Sequence, residues 1–169
     1  MIIGPELNRE DDCEKILCSL PKWFGIERAL QMYVRDSSQL PSFGFNTNDQ
    51  LGGFITLKEH FQGAWEVHCI AVSAKERNKG IGTKLLEHAE SWLVSKGVRF
   101  LQIKTIADTS PDPYYAETRE FYLRKGYEPM EVFPELWAPT NPALQLVKYL
   151  EPPNNNEFKA GRGAMRHAS

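Results

Sequence analysis

The chain has 169 residues, enough for one domain with a hydrophobic core of its own. A composition of 41% hydrophobic and 25% charged residues is ordinary globular usage, and it excludes disordered, collagen-like and disulfide-scaffold classes. Twenty Lys and Arg against 22 Asp and Glu give a net charge of -2, so no chain-wide basic field exists to draw in nucleic acid or an anionic membrane.

The first residues contain no apolar stretch and become charged from Asn8 to Asp12, which predicts that no secretory leader is present. Asn8 is placed to cap a helix whose opening turn carries Glu10, Asp11 and Asp12, with Ile16, Leu17 and Leu20 as its apolar stripe and Pro21 as its stop. After Gly25 a second helix carries Ile26, Ala29, Leu30 and Tyr33, and the two helices form a hairpin. Ser42 to Phe45 and Leu51 to Phe61 read as a β-hairpin around the turn residues Asn46 to Asp49, and Trp65 to Val72 as a third strand. A loop from Ser73 to Gly80 leads into a helix with Ile81, Leu85, Leu86, Ala89, Trp92 and Leu93 on one face, ended by Gly97.

Val98 to Ile106 is the next strand. Asp112 and Pro113 supply a cap and a first-turn proline for a short helix through Lys125, closed by Gly126. Met130 to Phe133 and Ala143 to Leu150 are the final strands, with the proline-rich segment Pro134 to Pro142 expected as a loop. Strands joined through a helix run parallel and hairpins run antiparallel, so the expectation is a single α/β (α+β) domain over residues 1–150, with a mixed central β-sheet flanked by helices. Residues 151–169 lose the pattern and read as a disordered tail or an appended extension. Cys13, Cys18 and Cys69 form no CxxC pair, which points to inert thiols in the cytoplasm rather than to disulfides or a zinc ribbon. No uncharged apolar run approaches the about 18 residues of a membrane span.

The chemically informative stretch runs from Ile70 to Thr83. An apolar strand enters a polar loop, and Gly80 and Gly82 stand where a helix begins. Glycine permits positive φ and a close approach of ligand, while the free N–H groups of the helix start present partial positive charge, which together make a cradle for phosphate. Arg77 and Lys79 add charge to the same loop. Neither the P-loop pattern nor the dinucleotide fingerprint fits, because Leu85 stands where the latter needs its third glycine.

Arg77-x-x-Gly80-x-Gly82 after Ile70-Ala71-Val72 resembles the acyl-CoA signature, R/Q-x-x-G-x-G/A, of the GNAT superfamily of N-acetyltransferases. A second stretch about 40 residues on, Phe121-Tyr122-Leu123-Arg124-Lys125-Gly126-Tyr127, is similar to that superfamily's F-Y-x-x-x-G-F helix end, and the likeness spans residues 1–150. The resemblance implies an N-acetyltransferase that moves an acetyl group from acetyl-CoA to a primary amine of a small molecule or peptide, by direct attack in a ternary complex and without a metal. A non-catalytic acyl-CoA-binding module and a transferase of a longer acyl group are the alternatives.

By the same resemblance, the backbone of Arg77, Asn78, Lys79, Gly80, Ile81, Gly82 and Thr83 would hold the CoA pyrophosphate. Ile70, Ala71 and Val72 would pair with the pantetheine arm, the Ile70 N–H stabilising the oxyanion. Glu66 and His68, two apart on a strand and therefore expected on one face with Ile70 and Val72, are the candidates for removing the amine proton. Tyr122 would protonate the leaving thiolate. Where the family often has an asparagine contact to the cofactor arm, Thr118 or Tyr115 would replace it. Asp108 and Asp112 could attract a cationic amine. Trp23 and Phe24 either border this site or belong to the core, and the exposed strand edges or the Leu136–Trp137 segment could support a homodimer.

Overall fold

In the computed structural model, which describes residues 1–110 and 112–152, a short edge strand precedes the first helix. This is β1 (Ile2–Ile3), which pairs with the later Gly44 and Phe45. In helix α1 (Glu10–Cys18) the N-cap position is Arg9 rather than Asn8, and no side chain caps the helix start. Asn8 takes φ +46, and Arg9 closes the first turn through its guanidinium, 2.8 Å from Asp12. Helix α2 (Glu27–Gln39) packs on α1 through Leu30 and Val34.

Strands β2 (Ser42–Thr47), β3 (Gln50–Phe61) and β4 (Ala64–Val72) form an antiparallel meander. Helix α3 (Ile81–Ser95) crosses to β5 (Phe100–Ile106), which lies parallel to β4. Helix α4 (Pro113–Arg124) then leads into a hairpin of β6 (Glu128–Ala138) and β7 (Asn141–Tyr149). The sheet order is β1-β2-β3-β4-β5-β7-β6, with β4–β5 the one parallel pair, so the mixed sheet expected from the element order is present.

Strand β6 corrects the expected proline-rich loop. It runs through Pro134 to Ala138, and the connection to β7 shrinks to Pro139 and Thr140. Proline is tolerated because β6 is an edge strand whose outer side needs no ladder donor. The expected tail lies outside the described residues from residue 153 onward.

Each face of the sheet has its own core. Against one face, α3 buries Leu85, Leu86, Ala89 and Leu93 on Ile55, Leu57, Val67, Leu101 and Ile103. Against the other, α1 and α2 bury Cys13, Leu17, Leu30 and Val34 on Phe54, Cys69 and Ala71. At about 1.5–3 kcal/mol per buried large apolar side chain, these two cores anchor the frame on which the site is built.

Candidate functional site

Two features of β4 open the site. Its parallel pairing with β5 ends at Val67 opposite Ile103, yet β4 continues to Val72 and β5 to Ile106. The strands part, and a cleft of about 960 Å³ lies in the gap.

The second feature is a β-bulge. Thr56 pairs with Cys69 and Leu57 with Val67, so β4 carries one extra residue, His68, between two consecutive partners on β3. The extra residue shifts the alternation. Trp65 and Val67 face α3, as do Ile70 and Val72, whereas Cys69 and Ala71 face α1 and α2. The expectation that Glu66 and His68 project together with Ile70 and Val72 is therefore corrected. The two polar residues lie toward the α2 side, and Ile70 and Val72 lie toward α3.

At one end of the cleft the loop after β4 folds sharply, with Asn78 at φ +61 and Gly80 at φ +77. Gly80 is the N-cap of α3 and no side chain caps that helix start. The first-turn N–H groups of a 15-residue helix are thus left to an anion, with the positive end of the helix dipole behind them. A Cβ on Gly80 would meet nothing within 4 Å, so the glycine is required by its backbone conformation and not by crowding.

Arg77 lies 4.2 Å from the centre of the Trp23 ring and 3.8 Å from the Glu117 carboxylate. Trp23 in turn donates from Nε1 to Thr118 Oγ1 at 3.2 Å, and Tyr115 donates its hydroxyl to the Trp23 carbonyl at 3.0 Å. The segment between α1 and α2 is therefore strapped to α4 across the cleft. Trp23 and Phe24 both line it while packing against the α1 and α2 core, so they are border and core at once. The Thr118 and Tyr115 hydroxyls expected to serve a cofactor arm are engaged with Trp23.

His68 lines the cleft. Its Nε2 is 2.9 Å from Asp36 Oδ2, and its ring meets that of Tyr33 edge-on at 5.2 Å. Burial, followed by nearby Cys69 and Glu66, pushes the Tyr33 phenol up to about 12, so it is neutral near pH 7. The sequence marks Tyr33 only as part of a helix stripe and does not mark Asp36 at all. They stand three apart on α2, and only the docking of that helix brings them to β4.

Glu66 is placed differently. It does not line the cleft, and its carboxylate accepts from His60, from Lys104 at 3.0 Å and from Gln102 at 3.5 Å. Burial raises its pKa, but the hydrogen bonds from His60 and Lys104 win and hold it below the ordinary value.

Tyr122 is buried on α4 and lines the cleft from the α3 side. Burial, then the neighbouring Cys69, raises its pKa and keeps the phenol protonated. The helix end that positions it is a Schellman turn. Gly126 takes φ +84, its N–H donates to the Leu123 carbonyl and that of Tyr127 donates to the Tyr122 carbonyl. That turn gives the Phe121-to-Tyr127 pattern its physical reason.

Of the other candidates, Ile70, Ala71, Val72, Arg77, Asn78, Gly80, Ile81, Gly82, Thr83 and Thr118 border the cleft. Lys79 does not, and it pairs with Glu76 at 3.1 Å. Asp108 and Asp112 are also outside the lining, and Asp112 caps α4 by accepting from the Tyr114 N–H at 2.9 Å.

A family model described as the acetyltransferase (GNAT) family matches residues 9–127. Solved structures share the fold at low identity. A protein from Desulfovibrio desulfuricans assigned to the GNAT family superposes with a TM-score of 0.79 at 15% identity, over 89% of this chain and 99% of that one. An aminoglycoside 6'-N-acetyltransferase complexed with coenzyme A gives 0.69 at 20% identity, over 90% and 98%. The ribosomal-protein-S18-alanine N-acetyltransferase from Escherichia coli gives 0.68 at 16% identity, over 92% and 98%. No curated protein sequence matches significantly.

Proposed function

The chain belongs to the GNAT family of acetyltransferases, and from that premise we propose that it moves an acetyl group from acetyl-CoA to a primary amine by direct attack in a ternary complex. The observation that carries this reading is the cleft at the parting of β4 and β5. It combines an uncapped helix start, an unpaired strand stretch and two proton-handling side chains.

The residues present suit an acyl-CoA. The Arg77–Thr83 loop matches its phosphates, and Ile70, Ala71 and Val72, which have no strand beside them on the β5 side, match its extended arm. When bound, acetyl-CoA supplies the activated acyl group. The Ile70 N–H is the candidate donor to the developing negative charge on the acyl oxygen.

His68 is the base we favour. With Nε2–H donating to Asp36, the lone pair of Nδ1 is left to take a proton from the amine. Glu66, bound by two basic side chains and outside the cleft lining, is the weaker base. Tyr122, a buried phenol that borders the cleft and carries its proton, is the candidate donor for the departing sulfur.

Two measurements test the proposal. Calorimetry with acetyl-CoA should show binding, and a thiol-release assay over an amine panel should show turnover that His68→Gln removes. Binding without turnover of any amine would identify a non-catalytic acyl-CoA module and overturn the transferase reading.

A further inference from the structure

On the reading just proposed, the remaining question is which amine the cleft accepts. We infer that the acceptor is a primary monoamine carrying one apolar, ring-sized group, and not a polycationic amine.

The first observation is electrostatic. A substrate with several ammonium groups needs carboxylates that are free to receive them. Among the described residues, the carboxylates lining the cleft are Glu76, Glu117 and Glu120. All three lie on the cofactor-side loop or on α4, and each has a basic partner: Lys79 at 3.1 Å, Arg77 at 3.8 Å and Arg124 at 3.5 Å. Asp36, next to His68, is engaged by that imidazole at 2.9 Å and by Arg35 at 3.1 Å. Glu66, on the same side of β4 as His68, is held by His60 and Lys104, so among the described residues each of these carboxylates already has a basic partner.

The second observation is apolar and independent of the first. Ile26, Leu136 and Trp137 are large hydrophobic side chains left 62%, 51% and 47% exposed, and all three border this one cleft. They come from two distant parts of the chain, the entry to α2 and the end of β6. Exposed apolar groups converging on one cavity mark a site for an apolar ligand. Phe24 and Tyr33 continue that surface inward to His68, their rings 5.9 Å apart. An amine whose ring rests on this surface would present its nitrogen toward the imidazole.

The chemistry balances for such a substrate. The ammonium first loses a proton to His68. The nitrogen then bonds to the acyl carbon, the carbon–sulfur bond breaks as the sulfur takes the proton of Tyr122, the second proton of the nitrogen passes through solvent to restore the Tyr122 phenol, and His68 gives its own proton to solvent. The products are an amide, a free thiol and one net proton.

The test is thiol release at saturating acetyl-CoA with 2-phenylethylamine and tryptamine against spermidine and kanamycin, together with Trp137→Glu. The aromatic monoamines should exceed both polycations in kcat/KM at least tenfold. Trp137→Glu should lower kcat/KM for 2-phenylethylamine about tenfold while the calorimetric Kd for acetyl-CoA stays within twofold of the unaltered protein. Equal or faster turnover of spermidine or kanamycin would overturn this inference and leave the transferase reading intact. Turnover of no amine, with acetyl-CoA bound, would overturn both.

Discussion

Replacing Gly82 by glutamate separates folding from binding, because the two effects have opposite signs. Gly82 is the second residue of α3, and a Cβ there would meet Phe121 Cζ and Val72 Cγ2, both at the ordinary contact distance of 3.7 Å. The new side chain is therefore accommodated, and it extends into the cleft that Val72 and Phe121 line. For folding, exchanging glycine for a good helix former is worth up to about 1 kcal/mol. A carboxylate in the first turn adds about 0.3–1 kcal/mol through the helix dipole.

For binding, a carboxylate about 5 Å from a phosphate charge costs roughly 1 kcal/mol at the dielectric of water and about 3 kcal/mol at an effective value of 20. Two phosphate charges then raise the Kd for acetyl-CoA at least about fifteenfold. The assay pairs thermal unfolding with calorimetry. The melting temperature should rise by about 2–8 °C while acetyl-CoA binding weakens or disappears. A stabilised variant that binds acetyl-CoA within threefold of the unaltered protein would refute the assignment of this loop to the phosphates.

The remaining predictions concern the proton-handling groups. His68→Gln should lower kcat about 10²- to 10³-fold with the Kd for acetyl-CoA unchanged. Asp36→Asn should lower kcat about tenfold at an unchanged KM for acetyl-CoA, and ¹⁵N NMR should show His68 losing its preference for the Nε2–H tautomer. Tyr122→Phe should slow turnover about a hundredfold at pH 7, with the unfolding temperature within a few degrees. Glu66→Gln should leave turnover within about threefold but cost about 1–2 kcal/mol of stability at pH 7. Because the Glu66 pKa is depressed on folding, its stabilisation is complete above the ordinary value of 4.5 and is lost as pH falls through the lower folded value. Melting curves of the two proteins should accordingly converge on acidification below 4.5.

What could be read in advance was local. Gly80 and Gly126 marked the phosphate-side helix start and the end of α4 because both positions require the left-handed backbone that glycine tolerates. Strand β6 was misread because Pro134 counts against a strand unless the strand is known to be an edge, and edge position is a property of the whole sheet. The bulge at His68 has no signature within β4, because buried residues alternate with half-buried ones from Ala64 to Val72 even though the buried set changes face at His68. It arises from pairing with β3, one extra residue against two consecutive partners. Asp36 is not recognisable for a related reason, since only helix packing brings it against a histidine 32 residues away in sequence.

The parting of β4 and β5 also bears on mechanics. Four residue pairs, Ala64–Phe100 through Val67–Ile103, form the seam between a β1–β4 plate and a β5–β7–β6 plate. A ligand arm lying beside Ile70 to Val72 would lengthen that seam, and would act as a rung of the sheet as well as a reactant. At a hundred times its Kd, such a ligand adds about 2.7 kcal/mol to the folded state. The stability of the central sheet would then rise with the concentration of such a ligand around the protein.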